Sequence, residues 1–263
     1  MSLPGVALAL VRALPDKPAA FLSRTIVLAC LVLRPDYRRE IRRNLRIITG
    51  KDSRWFWVRN GWRLGLNIAT MARLGTRKGD ALVDSAVVCG ENLRDQALER
   101  ELHATMASFH FGLWEYLPQV FSRNGCRVVL AVGKQRDRTL DRQLSGLRRS
   151  GGVTIAMGLK QAIRGARGEV SITGFMLDNT SQGNQTWVEC DGVRMRLPDI
   201  GFKLAAREGR GLVPAFARLR NGRIRIDVYP PGDERAAVRA LLDQVRQHPD
   251  EWVSWGKAGA VAG

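Results

Sequence analysis

At 263 residues, 45% of them hydrophobic, the chain is long enough for one α/β domain with a substantial core and too short for two large ones. Its 42 lysines and arginines against 25 acidic residues leave a net charge of +17, which points to an anionic partner: phospholipid headgroups, nucleic acid, coenzyme A or an acidic carrier protein. The four cysteines, Cys30, Cys89, Cys126 and Cys190, are scattered without a Cys-x-x-Cys pair or a Cys/His cluster, which excludes a zinc site built from neighbouring ligands and fits reduced thiols in the cytosol.

The first hundred residues read as helices over 4–14, 18–33 and 35–50. The longest apolar run, 21–33, carries Arg24 and falls short of the roughly 20 residues a spanning helix needs. Residues 6–14 are interrupted by Arg12 with no basic segment before them, a poor signal peptide, so the chain is expected to stay in the cytoplasm. In the third helix Arg38, Arg39, Arg42, Arg43 and Arg46 recur at helical spacing opposite Ile41, Leu45 and Ile48, a basic amphipathic pattern suited to solvent or to an anionic membrane surface. Trp55, Trp57 and Trp62 follow; a bilayer edge and ordinary core packing both suit them.

From about residue 103 short β-like runs alternate with helical ones, the pattern of an α/β sheet with helices on its faces. Strands are expected over 104–109, 127–132, 153–156, 170–177, 186–190, 212–217 and 223–229, and helices over 112–124, 138–150, 159–166, 199–208 and 234–247. Asn221-Gly222, between two alternating runs, is a two-residue hairpin signal. Internal repeats and glycine-rich phosphate loops are absent from the sequence. The organisation expected is a helical region over 1–100 belonging to the same domain as an α/β core over 101–263.

Of three histidines, His110 stands where the strand ending near residue 109 gives way to a helix, the edge of an open sheet where ligands collect. Glu115, five residues on, is within reach through the strand-to-helix bend. A carboxylate on an imidazole fixes its tautomer and stabilises the imidazolium, while the other ring nitrogen takes a proton from an attacking hydroxyl. A histidine and a glutamate near one another equally describe a structural pair, and His103 and His248 read as structural.

The segment His110-Phe111-Gly112-Leu113-Trp114-Glu115 resembles the His-x4-Asp/Glu signature of the glycerolipid acyltransferase superfamily, and in particular of its bacterial lipid A late acyltransferase branch, the lauroyl and myristoyl transferases. The likeness extends in order from about residue 36 to 255: G-K-Q-R-D-R-T-L-D at 133–141, Leu147-Arg148-Arg149-Ser150-Gly151, Lys160-Gln161-Ala162-Ile163-Arg164, Phe175-Met176-Leu177-Asp178, the L-V-P-A-F strand at 212–216, and His248-Pro249-Asp250-Glu251-Trp252-Val253-Ser254-Trp255. The chain departs from the branch at Phe109, where many members have Asn, at Leu177 in place of Pro, and at Asn179.

What the resemblance implies is specific. The fold would be a mixed central sheet flanked by helices, with the N-terminal helices associating with the membrane and lining an apolar acyl groove. The reaction would move a fatty acyl group from an acyl thioester, carried by acyl carrier protein or coenzyme A, to a hydroxyl of a lipid or glycolipid acceptor. His110 and Glu115 would be catalytic, and Lys134, Arg149, Arg164 and Asp178 would bind substrate. Backbone N–H groups near Gly112, aided by a basic residue, would hold the oxyanion. Metal and tightly bound cofactor are not implied, and the place of work would be the cytoplasmic face of the inner membrane, peripherally. The competing readings are a catalytically impaired member of the family and a basic protein that binds membrane or nucleic acid; the second lacks any recognised nucleic-acid motif.

Overall fold

A computed structural model describes residues 3–90, 104–133, 138–149, 151–157, 159–166, 172–178, 184–207, 209 and 211–260. Five helices come first: α1 Leu3–Ala13, α2 Asp16–Val32, α3 Pro35–Thr49, α4 Phe56–Met71 and α5 Arg77–Asp84. Proline in its first turn starts α3 and left-handed Gly50, at φ 69°, ends it. Ile41, Leu45 and Ile48 go to the core while Arg39, Arg42, Arg43 and Arg46 stay exposed, as the amphipathic pattern requires.

Seven strands make the main sheet: β1 Val87–Cys89, β2 Ala104–Ser108, β3 Val128–Val132, β4 Thr154–Met157, β5 Ile172–Met176, β8 Leu212–Arg220 and β9 Arg223–Val228, in the order β1-β9-β8-β2-β5-β3-β4. All neighbours run parallel except the β8–β9 hairpin, where Arg220 pairs with Arg223 across Asn221 and Gly222 at φ 50° and 75°, the primed turn that Asn-Gly predicts. The connections fold as α6 Leu117–Arg123, α7 Arg138–Arg149, α8 Leu159–Ala166, α9 Ile200–Arg207 and α10 Glu234–Gln247. A smaller antiparallel sheet sets β7 Val193–Pro198 between β6 Gln185–Cys190 and β10 Ala258–Ala260.

The mostly parallel sheet flanked by helices agrees with the expected class. The boundary expected near residue 100 lies outside the described residues, and β1, from the N-terminal region, is hydrogen-bonded to β9 in the main sheet. Strands β1, β7 and β10 were not expected. For β7 the signal was present: Val193, Met195 and Leu197 alternate behind Asp191-Gly192, whose φ values of 49° and 73° make a second primed hairpin.

The helix expected over 112–124 is broken. Gly112, at φ 59°, packs so closely on the Ala217 carbonyl that a Cβ would lie 2.1 Å from its oxygen. The N–H groups of Gly112 and Leu113 bond outward to the Glu251 and Ala217 carbonyls, so only a 3₁₀ turn, Trp114–Tyr116, precedes α6.

Candidate active site

After β2 the chain runs through Phe109 and Phe111, both fully buried, with His110 between them in the wall of a cavity. His110 Nδ1 lies 2.7 Å from Asp178 Oδ1, and the His110 backbone N–H donates to both oxygens of that carboxylate at 3.0 Å. The Trp252 indole N–H, at 3.4 Å, and the Ser254 hydroxyl also point at Asp178. Burial alone would raise the Asp178 carboxyl and depress the imidazole, but their mutual attraction outweighs it: Asp178 is held below the usual carboxylate range and His110 above the usual histidine value. With its proton held on Nδ1, the neutral ring keeps Nε2 as its basic nitrogen.

Glu115 does not make the contact to the imidazole that its spacing suggested. It sits in the 3₁₀ turn facing α7, where Arg148 grips it in a fork, Nε to Oε2 at 2.8 Å and Nη2 to Oε1 at 2.5 Å. Burial would raise its carboxyl, yet the guanidinium keeps it low and the pair ionised. The reason is the break at Gly112, which turns position 115 from the imidazole and leaves that place to Asp178 at the end of β5. Glu115 acts on His110 only through space, adding to the upward shift of its pKa.

The N–H groups near Gly112 are also spoken for. That of His110 goes to Asp178, Phe111 to Phe109, Gly112 to Glu251 and Leu113 to Ala217. The oxyanion donors expected there are therefore already bonded, and the Arg148 guanidinium lies in the same cavity wall.

The loop is held by a second segment. Val253 N–H donates to the His110 carbonyl at 2.9 Å, and Phe111 bridges to Trp252. Helices α3 and α4 hold this segment in turn. Asn60 reaches the carbonyls of Asp250 and Trp252, Asn44 that of Trp255, and the Tyr37 hydroxyl that of Val253. Arg63, 2.7 Å away through Nε, and Asn67, at 2.8 Å, take the two oxygens of buried Glu251. Burial pushes Tyr37 up to about 12, so this hydroxyl keeps its proton at physiological pH.

The cavity measures about 500 Å³. Met106, Leu117, Phe121, Val128, Leu130 and Ile172 line its apolar part, with His110, Glu115 and Arg148 as its polar part. Exposed Asn184 and Lys203, with half-buried Asp199, mark where it meets the surface. Its apolar walls are strands and α6, not the N-terminal helices. Arg149 and Arg164 are exposed and absent from the lining, the arginine that lines the cavity being one position earlier than Arg149; Lys134 lies outside the described residues. Among the described residues, no group of His, Cys, Asp and Glu side chains could hold a metal ion.

The model of the bacterial lipid A biosynthesis acyltransferases matches residues 2–254. The chain belongs to this family. No curated protein matches it. Membership makes the chain an acyltransferase of lipid A biosynthesis, a reaction that requires an acyl donor and a lipid acceptor, and accords with the likeness carried by the His110 segment and the blocks after it. Trp252 and the Arg63–Glu251–Asn67 cluster were not singled out as site residues. The sequence signals were the 248–255 block itself and polar residues set among apolar ones, Asn44 in the helix expected over 35–50 and Asn60 and Asn67 after it.

Proposed function

We propose that the protein transfers a fatty acyl group from an acyl thioester to a hydroxyl of a lipid A precursor, with His110 as general base and Asp178 orienting it. The observation that carries this reading is one cavity that joins a carboxylate-held histidine to an apolar pocket. Nε2 takes the proton of the acceptor hydroxyl, whose oxygen attacks the thioester carbon. The thiolate leaves as the tetrahedral intermediate collapses, and the acyl chain lies between α6 and strands β2, β3 and β5. Arg148, fixed by Glu115, presents positive charge where the oxyanion develops. The donor is carried by acyl carrier protein or coenzyme A.

The same reading places the protein peripherally on the cytoplasmic face of the inner membrane. No single helix among the described residues is long and apolar enough to cross a bilayer; α2 and α3 pass that test together but are bent by 95° at their junction. Phe21, Val32 and Leu33 are exposed on and after α2, and Trp55 and Trp62 at α4, with Arg54 and Arg24 stacked on the two indoles, a composition suited to an anionic interface.

The decisive test is turnover of purified His110→Ala with an acyl thioester and lipid acceptor. A loss of about 10²–10⁴-fold is expected for removal of a general base, with the thermal melt unchanged. Near wild-type turnover in a folded variant would sink the mechanism.

A further inference from the structure

Trp114 lines the cavity next to the base, and the acyl-transfer chemistry gives it no task. Its ring meets that of His110 edge to face, with centroids 5.2 Å apart and planes at 68°. Its indole N–H points at the Glu115 carboxylate. One side chain thus touches both members of the pair that the five-residue spacing suggested and the fold keeps apart. The main chain leaves that side chain little freedom. Leu113, before it, is fully buried and bonded through its N–H to the Ala217 carbonyl at 2.7 Å. Glu115, after it, is gripped by Arg148, and the Leu117 N–H returns to the Trp114 carbonyl.

The charged groups that act on the imidazole are Asp178 from the end of β5, Glu115 from the 3₁₀ turn and Arg148 from α7. The segment after α10 turns neutral Trp252 and Ser254 to Asp178 and its charged Glu251 to Arg63. Two carboxylates therefore compete for one ring. With Nδ1 on Asp178, Nε2 is free to take a proton; a ring that also spends Nε2 on Glu115 is held as imidazolium between two anions and is no base. The geometry points to Trp114 as a positioning residue that bars the imidazole from Glu115 and keeps it on Asp178. This rests on His110 being the base of the proposed acyl transfer. The indole does so from both sides, by filling the space beside the imidazole and by giving its N–H to the carboxylate that would otherwise reach for the ring.

The test reads kcat/KM against pH and, without substrate, the NMR titration of His110 in histidine-labelled protein; of the three histidine signals, the one lost in His110→Ala is the base. Trp114→Ala is expected to lower kcat/KM about tenfold, part of the roughly 10²–10⁴-fold that a general base supplies. A second carboxylate on the ring favours the imidazolium, so the His110 pKa should rise further and the acid limb should move to higher pH. Trp114→Phe, which keeps a ring beside the imidazole, should restore most of the loss, and Trp114→Leu carries the test if the alanine variant does not fold. The Glu115→Gln background decides the cause: there, removing Trp114 should shift neither titration nor limb and should cost less turnover than in wild type. A shift that persists without the carboxylate comes from solvent admitted to the cavity and overturns the proposal. A downward shift, the mark of an indole that favours the imidazolium through its π face, overturns it too. So does a limb that stays in place, with or without a raised KM, which would make Trp114 a wall for substrate alone. Should wild type transfer no acyl group, the acyl-transfer reading falls by itself. The substrate-free titrations then decide: an upward shift in Trp114→Ala that vanishes with Glu115→Gln upholds the role of the indole, and any other result removes it.

Discussion

The two faces of the main sheet are filled in opposite ways. On one, Phe109, Phe111, Phe216, Trp252 and Trp255 close into a core in which Phe109 stacks on Phe216 at 6.0 Å and Trp252 meets Trp255 at 5.0 Å. On the other, β2, β3 and β5 face α6 across a cavity of about 500 Å³. The strands serve both by alternation: in β2, Ala107 and then Phe109 join the packed side while Met106 and Ser108 line the hollow one. The loop after β2 continues the division, His110 to the cavity and its phenylalanine neighbours to the core. A base is thus held still from behind and faces a cavity in front, so stability and activity are expected to separate by face.

The largest effect is expected behind the base. Trp252→Ala removes a fully buried indole and one of the contacts to Asp178, at a cost of about 3–5 kcal/mol. Denaturant unfolding measures it; a loss below about 1 kcal/mol would break the contrast.

Arg148→Met comes next. It strands the buried Glu115 carboxylate, and the cost is expected near the lower end of the roughly 3–5 kcal/mol seen when one partner of a buried pair is removed, because the cavity admits solvent. The double variant with Glu115→Gln should recover stability but not turnover, which separates the packing role of the pair from its chemistry.

Asp178→Asn sharpens the comparison through pH. His110 must be neutral to act, so the rate rises with pH through a pKa held above the ordinary histidine value by Asp178. Without that carboxylate the burial that depresses the imidazolium prevails, and the acid limb of kcat/KM moves to lower pH while the maximum falls. An acid limb that stays in place would mean that another group titrates there.

In front of the base, Gly174→Val fills part of the cavity at small cost to the fold. Gly174 lines it, and an added Cβ would stand 3.3 Å from Leu130 Cδ1. The expected outcome is a preference for shorter acyl donors with stability changed by less than about 1.5 kcal/mol. Unchanged chain preference would place the acyl group elsewhere. The smallest effect belongs to neither face: binding to anionic vesicles through the exposed N-terminal helices should weaken as salt is added.

Much of this arrangement was legible in the sequence, because strands and helices announce themselves by local period. The L-V-P-A-F strand, the Asn221-Gly222 hairpin and the helices over 159–166 and 234–247 needed only neighbours to be read. His110 was legible for the same reason, from its place after an apolar strand. Its partner was not. Asp178 lies 68 residues away, and the parallel pairing of Ser108 with Met176 brings the two together, a relation of register that no local spacing encodes. Glu115 was misdirected because a helix over 112–124 was assumed, and the close approach of Gly112 to Ala217 that prevents it is a tertiary contact. Arg148 and Arg149 are indistinguishable in sequence; which of them turns inward depends on the packing of α7.

The loop that carries His110 takes its shape from residues made long after it. The carbonyl of His110 and the N–H of Gly112 find their partners in Val253 and Glu251, and the carboxylate on its ring is touched by Trp252. During synthesis the sheet strands and α6 can assemble around the cavity while this loop still lacks its brace. The site is therefore set only when the segment from Pro249 to Trp255 has left the ribosome and threaded under α3 and α4, so a nascent chain can own its substrate pocket before it owns a positioned base.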